Sequence, residues 1–183
     1  MLLLIANTSC KKKVVKEADS TIAGNYFSIN QFMLDEWNTY AGEPFMISKT
    51  VRINDGKTDS FITNSDTISW APLVKAFSET DISDRKYLGQ YKFTQFDDNA
   101  DETHNFFYEA IDEDLFTRKL LITIDRYNSK IKGIYIETEK KSFLEDVVQK
   151  LYYAPLKTIQ IQTESKPMLG SKKHTVVQYD FLR

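Results

Sequence analysis

The chain has 183 residues, 42% of them hydrophobic and 27% charged, an ordinary globular composition that can bury one core. A formal charge of −2 leaves no basic stripe for nucleic-acid phosphates, and no apolar run approaches the ~18 residues of a membrane-spanning helix. The single cysteine excludes an internal disulfide and a thiolate metal cluster, while 12 Phe, 10 Tyr and 2 Trp imply either a sheet-rich core or an aromatic-lined cavity.

The first residues are an apolar run, Leu2-Leu3-Leu4-Ile5-Ala6, followed by Asn7-Thr8-Ser9, then Cys10, then Lys11-Lys12-Lys13. This resembles the end of a bacterial lipoprotein signal peptide of the Bacteroidota type, with a basic start missing and a short apolar region. Ser9 and Thr8 suit the cleavage site, whereas Asn7 departs from the usual aliphatic residue. The resemblance implies that Cys10 is diacylated and becomes the first residue of the mature protein. Each buried methylene contributes about 0.8 kcal/mol, so two or more chains hold stably where one does not. In lipoproteins of this type acidic residues after the cysteine mark export to the cell surface, so with lysines there the resemblance implies a periplasm-facing protein, and the expected location is the outer membrane. On this reading residues 1–9 are a signal remnant, 10–25 the lipidated cysteine and tether, and 26–183 one domain.

Ser28 is placed to cap a helix reaching about Ala41, since Ile29, Phe32, Met33, Trp37, Tyr40 and Ala41 follow helical spacing and Gly42-Glu43-Pro44 ends it. Phe45 to Ile53 alternates, with Phe45, Ile47, Val51 and Ile53 on one face. Asn54-Asp55-Gly56-Lys57 reads as a hairpin turn into a short strand at 59–63. A second helix follows, capped by Ser69, with Trp70, Leu73, Val74 and Phe77 in one stripe and Pro72 tolerated in its first turn.

From Lys86 onward the pattern predicts strands near 86–96, 104–112, 115–125, 130–139, 147–153, 156–163 and 174–182, separated by short polar turns. Ser142 to Gln149 is also compatible with one or two helical turns. Gly89 and Gly133, inside two of these strands, suggest bulges that let the sheet curve. The fold class is therefore α+β: two N-terminal helices packed on a curved antiparallel β-meander of six to nine strands, half-barrel or barrel-like. The bacterial carriers that hold lipoproteins in half-barrels share this outline, a likeness of fold that does not fix function.

Little in the sequence carries chemistry. Asp97-Asp98-Asn99-Ala100-Asp101-Glu102 begins like a calcium loop but has Glu102 where glycine is needed and Tyr108 where the last carboxylate is needed. His104 and His174 sit beside strand starts without a metal-ligand or acid–base spacing. No nucleophile-elbow, phosphate-binding or dinucleotide-binding motif occurs, so no catalytic residue, metal ligand or cofactor is assigned. The remaining signal is aromatic: Tyr87, Tyr91, Phe93, Phe106 and Tyr108 on neighbouring faces, with Tyr135 joining them, are the candidate ligand-binding residues.

These features point to an envelope protein, lipid-anchored at Cys10, that binds a hydrophobic or amphipathic small molecule in a curved sheet. The alternative is a protein–protein interaction module, an envelope assembly factor or an inhibitor, with an exposed apolar patch or free strand edge and no ligand cavity. An enzyme has the least support and would need His104 or His174 to meet a carboxylate in a concave site.

Overall fold

The computed structural model describes residues 26–54 and 56–182. Cys10, the lysines after it and the tether lie outside the described residues. Helix α1 spans Ile29–Tyr40 and α2 Trp70–Ser78; the strands are β1 Met46–Ile53, β2 Lys57–Asn64, β3 Tyr91–Asp98, β4 Thr103–Ala110, β5 Thr117–Asp125, β6 Ile131–Lys140, β7 Glu145–Ala154, β8 Thr158–Pro167 and β9 Lys173–Leu182. All nine strands form one antiparallel sheet in the order β2-β1-β9-β8-β7-β6-β5-β4-β3. The sheet is open, with β2 and β3 as its edges. The expected α+β meander under two helices is thus the observed fold. Among the described residues no helix is long and apolar enough to cross a membrane.

The hairpin between the helices is not a separate feature but half of the sheet's second wing. β1 pairs along its whole length with β9, from Met46 opposite Leu182 to Ile53 opposite Thr175. Asn54 locks its end, donating its N–H to the His174 carbonyl at 2.7 Å and accepting the His174 N–H on Oδ1 at 2.9 Å. Asn54 takes φ 50°, a conformation asparagine tolerates better than most residues.

The register sets one row of side chains across the inner face: Phe93, Tyr108, Leu120, Ile136, Leu151, Ile161, Val177 and Val51 stand opposite one another in turn. Leu120, Ile136 and Leu151, at its centre, are fully buried. The helices cover this face, burying Ile29 and Met33 from α1 and Leu73 and Phe77 from α2.

Three expectations are corrected, for the start of β3, Gly89 and Tyr135, and two are borne out, for the strand after residue 145 and Gly133. The strand expected from residue 86 begins at Tyr91, because Arg85–Tyr87 forms one 3₁₀ turn and Gly89 turns the chain at φ 78°. Gly89 is therefore a turn residue, outside any strand. Residues 145–149 are strand rather than helix, and Ser142 bridges the turn before them by hydrogen bonds to both backbone groups of Glu145. Gly133 does sit at an irregularity: the β5–β6 register slips between Thr123 and Ile124, and a methyl at Gly133 would lie 3.3 Å from the Tyr152 hydroxyl. Finally, Tyr135 stands opposite Leu121 and Tyr152 on the outer face, since Ile134 and Ile136 occupy the inner one.

The helices are tied down by one carboxylate. Ser28 Oγ accepts the Gln31 N–H at 3.1 Å as the α1 N-cap and donates to Asp81 Oδ2 at 2.7 Å. Asp81 Oδ2 also accepts the Asn30 N–H at 2.9 Å, and Oδ1 the Ser83 N–H at 2.7 Å. Burial pushes the Asp81 pKa up, but these hydrogen bonds outweigh it and hold the carboxyl below its usual value. A depressed folded pKa stabilises the protein above the ordinary carboxylate range and is lost as pH falls through the folded value. Asp81→Asn is expected to cost about 1–2 kcal/mol at neutral pH. It is also expected to flatten the loss of stability below about pH 4. Urea denaturation across that range measures both.

Candidate ligand-binding cavity

Between the two helices and the β7–β8–β9–β1 wing lies a cavity of about 290 Å³, near the lower end of the ~300–1,000 Å³ typical of ligand pockets. Its floor comes from Tyr153 and Ile159 on β7 and β8 and Phe181 on β9, its sides from Met33 and Trp37 of α1 and Leu73 and Phe77 of α2. The element packing explains why the walls are aromatic. Helical spacing puts Trp37 and Tyr40 on the same side of α1, and β1–β9 pairing brings Phe181 beside the start of the hairpin.

Five rings make a belt. Trp37 lies 6.1 Å from Trp70, Trp70 stacks at 6.1 Å on Phe181, Phe181 meets Phe45 edge-on at 5.6 Å, and Phe45 meets Tyr40 at 6.3 Å. The α1 turn from Tyr40 back to Trp37 closes the circuit. Such offset and edge-to-face pairs add about 0.5–1.5 kcal/mol each beyond the area they bury. Trp70 Nε1 donates to the Ser65 carbonyl at 3.0 Å, so its polar edge is satisfied while its faces stay in the wall.

Several polar side chains join the apolar lining. Tyr153 donates its hydroxyl to Glu36 Oε2 at 2.6 Å, and Glu36 lines the cavity together with Glu43, Asp66 and Ser65. Burial, with the Glu36 carboxylate beside it, pushes the Tyr153 pKa well above the usual phenol range, keeping that proton in place. Among the described residues, no lysine, arginine or histidine lines the cavity.

Leu156 closes the rim at a conformational cost. The Lys157 N–H donates to the Ala154 carbonyl at 3.1 Å, closing a turn with Pro155 and Leu156 at its corners, and Leu156 takes φ 51°. Glycine is the residue that fits this corner without strain. A leucine there costs about 1–2 kcal/mol, and its side chain lines the cavity.

The residues singled out from sequence lie elsewhere. Tyr91 and Tyr108, both nearly buried, pack with Tyr26, whose ring is 5.9 and 5.5 Å from theirs. Phe93 stacks on Phe106 at 6.1 Å and touches Tyr108 at 5.0 Å; Tyr87 meets Tyr91 at 6.1 Å. Tyr91 donates to the Thr117 carbonyl at 2.9 Å, and burial raises the pKa of both Tyr91 and Tyr108. These five form a packed cluster on the β3–β4 wing, while Tyr135 donates to Glu137 at 2.6 Å on the outer face. None of the six lines the cavity.

His104 contacts Asp97 Oδ1 at 2.6 Å through Nδ1, at the start of β4, whereas His174 lies on β9 at the other end of the strands. The two do not meet. In the acidic turn, Asp98 Oδ1 accepts the Ala100 and Asp101 N–H groups. Among the described residues no three metal-ligating side chains converge.

No protein-family model matches the chain, and no curated protein matches it. Among solved structures it is similar to a LolA superfamily protein from Nitrosomonas europaea, at 11% identity and a TM-score of 0.30, over 85% of this chain and 94% of that one.

Leu156→Gly is expected to leave stability unchanged or raise it by up to about 1 kcal/mol, because strain relief offsets the lost contacts. The same change is expected to weaken whatever binds in the cavity. Thermal unfolding paired with a binding assay separates the two effects.

Proposed function

We propose that the protein is a lipid-anchored envelope protein that binds a hydrophobic or amphipathic small molecule in the cavity between its helices and the β7–β1 wing. The observation that carries this reading is the aromatic-walled space of about 290 Å³ left between elements that are otherwise closely packed. The space is partly open to solvent, so an apolar molecule entering it would displace water from its aromatic wall. A largely apolar wall with a few polar groups is the usual make-up of a small-molecule site. Anchoring at Cys10, on the outer membrane facing the periplasm, rests on the N-terminal sequence alone.

Native mass spectrometry on the full chain, purified gently from its own host, tests the binding. Extra mass that disappears on organic extraction is the expected result and gives the ligand's class. Bare protein mass, unchanged after incubation with host lipids, would overturn the reading. For the anchor, Cys10→Ala is expected to move the protein from the membrane to the soluble fraction, and a mutant that stays membrane-bound speaks against lipidation.

A second reading is favoured by a different surface. Phe143 and Leu144 in the β6–β7 turn and Met168 and Leu169 in the β8–β9 turn are exposed, at 82%, 72%, 62% and 87%. The Met168 N–H donates to the Leu144 carbonyl at 2.8 Å, so the two turns sit side by side. Paired apolar turn tips suit an interaction module, and specific capture of an envelope protein that is lost in Phe143→Ser/Leu169→Ser would support it.

A further inference from the structure

We infer that the cavity selects amphiphiles with a cationic head, a hydrophobic amine or quaternary ammonium, over fatty carboxylates and other anionic lipids. The inference rests on the cavity being the ligand site proposed above. Three observations converge on the sign of the charge.

The first is the belt. Trp37, Trp70, Phe181, Phe45 and Tyr40 present ring faces and edges around one space. Aromatic faces carry negative potential and attract ammonium groups, most strongly where water is excluded. The second is the carboxylates. Glu36 is partly buried and held against Tyr153, and its group can accept further bonds beyond the one Tyr153 makes. Glu43 and Asp66 line the same space. The third is that no lysine, arginine or histidine among the described residues lines the space to receive an anion. Lys49 lies over the rings of Tyr179, at 5.3 Å, and Phe61, at 5.8 Å, and neither ring lines the cavity. An anionic head brought in would face Glu36 with no counter-ion among the described lining residues, whereas a cation would be paired and stacked. The apolar chain would then lie along Met33, Leu73, Phe77 and Ile159.

The protein carries its own probe, because its only two tryptophans, Trp37 and Trp70, both line the cavity. Tryptophan emission of the full chain is titrated with decyltrimethylammonium, decanol and decanoate, each below its aggregation concentration. The expected order is cation first, with at least about a tenfold lower half-saturation than decanol, and decanoate weakest. Glu36→Gln is expected to shrink the preference for the cation, read as the ratio of the decyltrimethylammonium and decanol half-saturations within the variant. A second variant, Glu43→Gln/Asp66→Asn, makes the same test at groups not bonded to Tyr153. Decanoate binding as tightly as the cation, or full cation preference in both variants, would overturn the inference and leave the binding reading intact. No response to any of the three would overturn the cavity as a ligand site.

Discussion

Nine twisted strands present one apolar face, and among the described residues two short helices are available to keep water off it. At about 4.8 Å per strand the sheet is roughly 40 Å across, whereas two helices side by side cover about 20 Å. α1, with 12 residues, reaches about 18 Å and α2, with 9, about 14 Å. The deficit is met differently on the two wings. On the β3–β4 wing, Tyr26 folds over the sheet, accepts the Gly89 N–H at 3.0 Å and fills the space with tyrosine rings. On the β7–β1 wing no such segment intervenes among the described residues, and the rings line a cavity.

The polar groups follow from that asymmetry. Where tyrosines pack face to edge, their hydroxyls find backbone partners, as Tyr91 does at Thr117. Where the space is open, Tyr153 reaches instead to Glu36 and fixes α1 against the sheet. Leu156 shows the same economy at the rim: a strained backbone is retained where the side chain shapes the opening. The packed wing supplies rigidity and the open wing supplies room.

Most of the elements could be read from local signals. Ser28, the spacing from Ile29 to Tyr40, the stripe from Trp70 to Phe77, the turn at Asn54 to Lys57 and the alternation along the strands are short-range patterns, and they give both helices and all nine strands. What escaped depends on distance or phase. Tyr135 lies between Ile134 and Ile136, so either alternate set could face inward, and only the pairing with β5 and β7 decides. The strand before Tyr91 was read too long because Tyr87 continues the apolar alternation through Gly89, which turns the chain out of it. The cavity was missed because its walls come from α1, α2, β7, β8 and β9. Trp37 and Trp70 were visible as helix-stripe residues, but nothing local says that Phe181 stands beside Phe45. The aromatic cluster chosen from sequence is real as a cluster; its rings are close in sequence and pack closely in space, which leaves them no room.

The β1–β9 ladder joins the first strand of the described chain to the last. A chain growing from its N-terminus therefore makes the β1–β2 hairpin early and must leave it undocked, since the edge it needs is produced at the end. Closing so long a loop is slow compared with pairing neighbouring strands, and until then β8 presents an open edge to any other strand nearby. The aromatic belt depends on the same event, because Phe181 arrives with β9. Folding thus finishes where the cavity forms, and a molecule able to enter that cavity would meet only chains whose sheet assembly is complete.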